Sequence, residues 1–337
     1  MTTPLKIVIP MAGLGSRLRP HTWSKPKPLV PLAGGTVLDH LMNMFKTVTD
    51  VDKAEFIFIL SPNQGDQIQE FVSKNYPQKK VRFVIQPEMK GQSDALWQAR
   101  AHLKGRTIMV FSDTLIENTY EFLDTEGSDA IAWVKAVPDP RRFGVAEVNS
   151  SGFVTRLIEK PRDMDNNLAV VGFYYFREGE ALVAAIEEQI ERNVSLKGEF
   201  FLTDAINILI EKGIKMRIEN VTHWLDAGTP EALMDTNRFL LENGRASTDL
   251  TRDFEDTVII PPVNIHSEAR ISGSIIGPYV SIGAGSVIQG SILRDTIVGL
   301  SAHITGSQLE SSLLGNQVVV NGQIGKFNLG DHSWAVK

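Results

Sequence analysis

A chain of 337 residues, 42% hydrophobic and 22% charged, is long enough for about two globular domains with substantial cores. Its net charge of −6 and lack of any extended basic run argue against nucleic acid as the main partner. With no cysteine, disulfide frameworks and thiolate chemistry are excluded, a reducing compartment is suited, and any metal must be held by oxygens or histidine. No apolar run approaches the roughly 18 to 20 residues of a membrane span, and Pro10 and Gly13 interrupt the N-terminal apolar stretch too early for a signal peptide. The expectation is a cytoplasmic protein without a membrane partner.

The first element is a short apolar strand from Lys6 to Pro10, which runs into Met11-Ala12-Gly13-Leu14-Gly15-Ser16-Arg17. Two glycines separated by one residue let backbone N–H groups approach an anion without a Cβ in the way. Arg17 adds mobile positive charge, and so does Lys27 in the alternation Lys25-Pro26-Lys27-Pro28-Leu29. No Gly-Lys-Ser/Thr follows, so this is not a P-loop. Leu18 stands where the third glycine of G-x-G-x-x-G belongs, so the dinucleotide fingerprint also fails. A plain strand-to-helix turn with an incidental arginine is the competing reading. The prolines around Lys27 weigh against it, because they restrict how the second basic cluster moves.

From there to about residue 240, Val/Ile/Phe-rich runs alternate with amphipathic stretches, an α/β pattern. Strands are predicted at Glu55 to Leu60, Val81 to Gln86 and Thr107 to Ser112, with helices after Ser61 and Ser93, both able to N-cap. Right-handed crossovers would make the sheet parallel and put ligands at the carboxyl ends of its strands, where Gly13, Gln86 and Asp113 fall. Between Asp129 and Phe176 the strands become consecutive, predicting an antiparallel insertion. Helices follow at about Glu178 to Asn193, at Asp204 to Lys212 behind Thr203, and after Thr229-Pro230. A polar linker is placed at Gly244 to Asp253. Beyond it, aliphatics recur at a spacing of six: Ile276, Ile282 and Ile288, then Val298 and Ile304, then Leu314 and Val320. That is the mark of a parallel β-helix of hexapeptides, with the gaps taken as coils that bulge. The resulting division is 1–245 and 254–337.

Several residues can carry chemistry. Asp113 and Asp226 each follow a strand, and two such carboxylates can share a hard cation such as Mg²⁺, although for an isolated strand-end Asp a turn or N-cap role is the commoner one. Lys160 can neutralise a phosphate while Glu159 binds hydroxyls, or the two form a surface pair before a turn. Gly144 and Gly172 let backbone approach a ligand, or are ordinary strand glycines. Gln86, before Gly91, suits a base edge. The seven histidines show no metal spacing, and no Ser/His/Asp arrangement is visible.

In order along residues 4 to 240, G-x-G-x-R with Lys27 ten residues beyond Arg17, Gln86 with Gly91-Gln92, Asp113, Phe143-Gly144-Val145, Glu159-Lys160-Pro161, Glu199 with Thr203-Asp204-Ala205, and Trp224-Leu225-Asp226-Ala227-Gly228-Thr229 resemble the sugar-1-phosphate nucleotidyltransferases. The resemblance implies a Rossmann-like nucleotidyltransferase domain with a mixed sheet, and longer members carry a C-terminal left-handed β-helix. It implies transfer of a nucleotidyl group from a nucleoside triphosphate to a sugar 1-phosphate, with release of pyrophosphate. Ala12, Gly13, Gly15, Ser16 and Arg17 would hold the triphosphate, with Gln86 and Gly91 at the base. Arg17, Lys27, Lys160 and Asp113 would be catalytic, Gly144, Glu159, Lys160 and Gly172 would line the sugar phosphate, and Asp113 and Asp226 would ligate Mg²⁺. Ala12 replaces the first glycine of the commoner motif, and Ser112-Asp113-Thr114 replaces Gly-Asp-Asn.

Gln86 resembles the glutamine of uridylyl- and thymidylyltransferases more than the acidic residue common in guanylyltransferases, which implies a pyrimidine nucleotide and UDP- or dTDP-glucose as the expected product. A mannose-1-phosphate guanylyltransferase and a non-catalytic nucleotide-sugar-binding scaffold are the alternatives. Acyl transfer by the β-helix, with His266, His303 or His332 as base, is a further one. A homo-oligomer is expected through an exposed coil flank.

Overall fold

The computed structural model describes residues 4–247 and 254–337; the rest of the expected linker, 248–253, lies outside the described residues. By contacts the chain forms two units, each assembled from separate stretches. One comprises the chain up to Gly13 with Leu41–Trp224, the other Leu14–His40 with Leu225–Lys337.

The first unit is a mixed sheet. Strands β1 (Lys6–Pro10), β2 (Glu55–Leu60), β3 (Lys80–Ile85) and β4 (Thr107–Val110) are parallel, in the order β4-β1-β2-β3. Ile7, Val8, Ile9, Ile57 and Met109 are fully buried, as continuous apolar strands covered on both faces must be. The expected insertion follows as β5 (Ala130–Ala136), β6 (Gly144–Val148), β7 (Val154–Glu159) and β8 (Leu168–Phe176), with β8 antiparallel to β4, β5 and β6, and β7 antiparallel to β6. Strand β9 (Met216–Asn220) joins β5 in parallel.

Helices α1 (Gly65–Asn75), α2 (Gln92–Gln98), α3 (Gly179–Glu191) and α4 (Leu202–Glu211) connect these strands. Leu96, Leu182, Ile186, Ile206 and Leu209 pack with Ile57, Met109 and Tyr174 in one core. A separate aromatic cluster has Tyr120 stacked on Phe173 at 5.3 Å and Trp133 edge-on to it at 4.6 Å.

The helix starts differ from expectation. Helix α1 begins after Gln64 rather than behind Ser61, and α2 after Gly91. Ser93 lies inside α2, buried, with its hydroxyl donating to Phe201 O at 3.1 Å. Thr203 sits in the first turn of α4 and donates to Glu159 at 3.4 Å. For Ser93 and Thr203 a tertiary partner recruits the hydroxyl that local reading assigns to a cap.

In the second unit, α5 (Pro230–Leu240) begins as predicted: Thr229 Oγ1 accepts from Ala232 N–H at 3.2 Å and Pro230 takes the first helical position. The C-terminal strands form a parallel β-helix. Arg270 pairs with Val287, Val287 with His303, His303 with Val319 and Val319 with Trp334, so successive coils repeat at 17, 16, 16 and 15 residues. Three hexapeptides would give eighteen, so the coils are shortened rather than bulged. Leu293 and Leu309, both buried, occupy the expected gaps, five residues beyond Ile288 and Ile304. Serines complete the shortened corners: Ser274, Ser291 and Ser307 hydroxyls accept from the N–H of Ser291, Ser307 and Gln323, each at 3.1 Å. The small polar residues between the aliphatics thus satisfy backbone donors inside the coil.

Candidate active site

Because β1 to β4 run parallel, the chain leaves each at the same edge of the sheet. Met11 N–H donates to Ile59 O at 2.7 Å and Gln86 N–H to Leu60 O at 2.9 Å, extending β1 and β3 to that edge. Ala12 is buried there, and Gly13 is exposed with open space where a Cβ would stand. Asp113, half-buried, lies in the turn after β4 that Thr114 N–H closes on Phe111 O at 3.1 Å. Phe111 N–H donates to Gly172 O at 2.9 Å, so antiparallel β8 delivers Gly172 to the same edge. Gly172 has φ +78° at an irregularity of β8, and a Cβ would lie 2.2 Å from the Phe111 ring. Only glycine fits there.

Gln86 is buried, and its Nε2 donates to Asp94 Oδ2 at 2.6 Å and to Gly91 O at 3.2 Å. Two acceptors fix which end of the amide is nitrogen. Gly91, at φ +103°, passes so close to Phe200 that a Cβ would fall 2.4 Å from its carbonyl oxygen.

Gly144 and Glu159 are register partners on β6 and β7. Lys160, at φ +49°, donates its N–H to Phe143 O at 2.9 Å, and its ammonium lies 3.5 Å from Glu159 Oε1 and 4.4 Å above the Phe201 ring. Burial pushes the Glu159 carboxyl up from its ordinary range against the pull of Lys160 and the Thr203 hydroxyl, and burial also raises Asp204. Phe201 carries no signal in the sequence, since it meets Lys160 only through the packing of α4 on β7.

Gly15, Ser16, Arg17, Lys27 and Asp226 belong to the second unit. Gly15 adopts φ +59° and its carbonyl accepts from Leu18 N–H at 2.9 Å and Thr22 Oγ1 at 2.8 Å. A Cβ there would lie 2.9 Å from Thr22 and 3.2 Å from Lys27 Cβ, so this glycine allows close folding of the loop on itself. Ser16 and Arg17 are exposed on a 3₁₀ turn, and Lys27 opens a second such turn, half-buried. Asp226 precedes α5; its Oδ1 accepts from Gly228 N–H at 2.7 Å and its carbonyl from Thr236 Oγ1 at 2.8 Å, which fixes the carboxylate. The geometry therefore gathers Ala12, Gly13, Gln86, Asp113 and Gly172 at one sheet edge, Gly144, Glu159 and Lys160 around β6 and β7, and Gly15 beside Lys27.

No group of three or more His, Asp or Glu suited to a metal occurs among the described residues. Asp113 in the first unit and Asp226 in the second are each the kind of hard oxygen donor that Mg²⁺ takes, with phosphate oxygens and water completing its octahedron.

Residues 6–243 match the family model described as nucleotidyl transferase. The chain belongs to the nucleotidyl transferase family. A glucose-1-phosphate thymidylyltransferase of Streptomyces griseus is 28% identical over 98% of this chain and 99% of its own length. The low-salt glycan biosynthesis nucleotidyltransferase Agl11 of Haloferax volcanii is 32% identical over 92% of both chains. The bifunctional protein GlmU of Methanocaldococcus jannaschii is 32% identical over 78% of this chain and 60% of its own. Among solved structures, one described as a putative glucose-1-phosphate thymidylyltransferase from Bacillus anthracis superposes with a TM-score of 0.61, at 23% identity over 70% of this chain and 94% of its own, which shows the shared fold. As a nucleotidyl transferase the chain is an enzyme; sugar nucleotidyltransferases of the family take a nucleoside triphosphate and a sugar phosphate and generally use a divalent metal. No helix among the described residues is long and apolar enough to cross a membrane.

Proposed function

We propose that the protein transfers a thymidylyl or uridylyl group to glucose 1-phosphate, releasing pyrophosphate and forming dTDP- or UDP-glucose. The observation that carries this reading is the gathering of Gly13, Gln86, Asp113 and Gly172 at the carboxyl edge of one parallel sheet, where ligands of open α/β sheets bind. The phosphate oxygen of the sugar is already an anion, so no protein base is needed, and catalysis is positioning and charge neutralisation.

Backbone N–H groups of Ala12, Gly13, Gly15 and Ser16 bind the triphosphate. Arg17 stabilises the departing pyrophosphate and Lys27 neutralises charge at the reacting phosphorus. Lys160 holds the sugar phosphate, backed by the Phe201 ring, while Glu159 accepts from sugar hydroxyls and the backbone at Gly144 and Gly172 lines the sugar. Asp113 and Asp226 would hold Mg²⁺, which when bound screens the repulsion between the two anionic substrates. With Gln86 Nε2 engaged by Asp94 and Gly91, contact with the base uses Oε1, an acceptor that matches the N3–H of uracil or thymine.

Residues 1–245 are the catalytic domain in this reading, and 254–337 serve structure and assembly in a cytoplasmic homo-oligomer. Pyrophosphate release across dTTP, UTP, GTP, ATP and CTP against glucose, mannose and N-acetylglucosamine 1-phosphates, with Mg²⁺, tests it. Turnover is expected with dTTP or UTP and glucose 1-phosphate, and Lys27→Ala and Asp113→Ala are each expected to abolish most of it. Turnover confined to GTP and mannose 1-phosphate, or none in any combination, would overturn the assignment.

A further inference from the structure

The segment between Gly15 and Lys27, the cradle in the proposed function on which this inference rests, is tied to the last coil of the β-helix. Lys25 Nζ lies 3.0 Å from Asp331 Oδ1, with both side chains only 7% exposed. The same carboxylate accepts from Ser24 Oγ at 2.7 Å and from Asn316 N–H at 2.8 Å. His21 Nε2 donates to Asn328 Oδ1 at 2.7 Å, and Gly330 lies so close to Pro20 that a Cβ would fall 3.0 Å from its ring. Within the segment, Thr22 holds Gly15 and Lys27 Cβ packs beside Gly15.

These ties account for side chains the catalytic reading leaves unused. Lys25 is one of two lysines in the proline-spaced run, yet it is buried and points at a carboxylate rather than at solvent. An isolated buried ammonium is costly, so the pair is maintained only if Asp331 stays with it. Pro26, at φ −64°, separates Lys25 from Lys27, and Pro28 follows in the 3₁₀ turn that Lys27 begins. With so few soft torsions between them, restraint at Lys25 reaches the backbone of Lys27. Burial raises the Asp331 carboxyl, but the Ser24 hydroxyl, the Lys25 ammonium and the Asn316 N–H together bring it below its ordinary range, so it is an anion at neutral pH.

We propose that Asp331 is a positioning residue for the phosphate cradle: through Lys25 and Ser24, the last coil of the β-helix holds the loop that presents Arg17 and Lys27 to the triphosphate. The β-helix is thereby a working part of the nucleotide site.

The test uses the full chain carrying Asp331→Ala or Asp331→Asn, with Glu126→Gln as a control. The control weakens a different shielded ion pair, Glu126 with Arg217 at 2.6 Å. Two readouts are taken on protein whose folded fraction is known from thermal melts: steady-state pyrophosphate release with each substrate varied, and calorimetric binding of dTTP or UTP with Mg²⁺. Asp331→Ala is expected to lower kcat/KM for the triphosphate, and its affinity, at least tenfold, while KM for the sugar 1-phosphate moves less than twofold. Asp331→Asn, which keeps an acceptor for Ser24, should fall between it and the parent, and the control should lose melting temperature without this split. Unchanged triphosphate kinetics and binding in folded Asp331→Ala, or an equal effect of Glu126→Gln, would overturn the proposal. A parent that binds the triphosphate without turnover would overturn the proposed function while the binding comparison still decides the role of Asp331. If the parent binds no triphosphate, both fall.

Discussion

Glu159 shows how much a residue's chemistry depends on neighbours far away in sequence. Its spacing next to Lys160 is visible in the chain, but its burial, the Thr203 hydroxyl and the Asp204 carboxyl come from α4, more than forty residues on. A carboxyl whose folded pKa lies above its unfolded value binds its proton more tightly when folded. Its contribution to stability is therefore complete at acid pH and is lost as pH rises from the ordinary glutamate value through the folded one. In the proposed function, binding of sugar hydroxyls to the Glu159 anion has the opposite dependence. KM for the sugar 1-phosphate is expected to rise as pH falls through that raised value, and Glu159→Gln should remove this limb while leaving the limb due to the substrate phosphate. Identical profiles for parent and variant would show that Glu159 is not a sugar contact. Gln86 is a second such case: legible as an amide beside a glycine turn, its orientation is decided by Asp94, one turn into the following helix.

At the level of elements, the parallel strands and the Thr-Pro helix start were legible because hydrophobic runs and proline geometry act within a few residues. Serine and threonine caps were less so, since Ser93 and Thr203 are drawn to partners more than forty residues away. Helix α5 illustrates the energetic weight of such partners. Buried Asn237 accepts through Oδ1 from Ala33 N–H at 3.1 Å and from Ser281 Oγ at 2.8 Å, and Arg238 forms paired hydrogen bonds with Asp295. Asn237→Ala orphans both donors at about 1–3 kcal/mol each. A urea midpoint shifted to match that loss is expected, and a midpoint within experimental error of the parent would show that water replaces the amide.

On the scale of the whole molecule, the β-helix repeats its core through Ile271, Ile288 and Ile304 on one face and through Ile276, Leu293 and Leu309 on another. Within this core each coil packs on the coils next to it, so a cavity in one is felt locally first. Leu309→Ala is expected to cost about 2–5 kcal/mol, and hydrogen exchange should rise in strands 292–298, 308–314, 324–325 and 328–329 before it rises in β1 to β4. Uniform acceleration through both units would show instead that they unfold together. The α/β order, the β-helix and the glycine turn after β1 follow from the sequence because periodicity and turn chemistry are local. Tertiary structure decided which hydroxyls cap and which bridge, where Leu293 and Leu309 close the shortened coils, and that Lys25 faces Asp331. Each of those outcomes depends on side chains brought together from distant parts of the chain, and an ion pair across about 300 residues leaves no spacing to read.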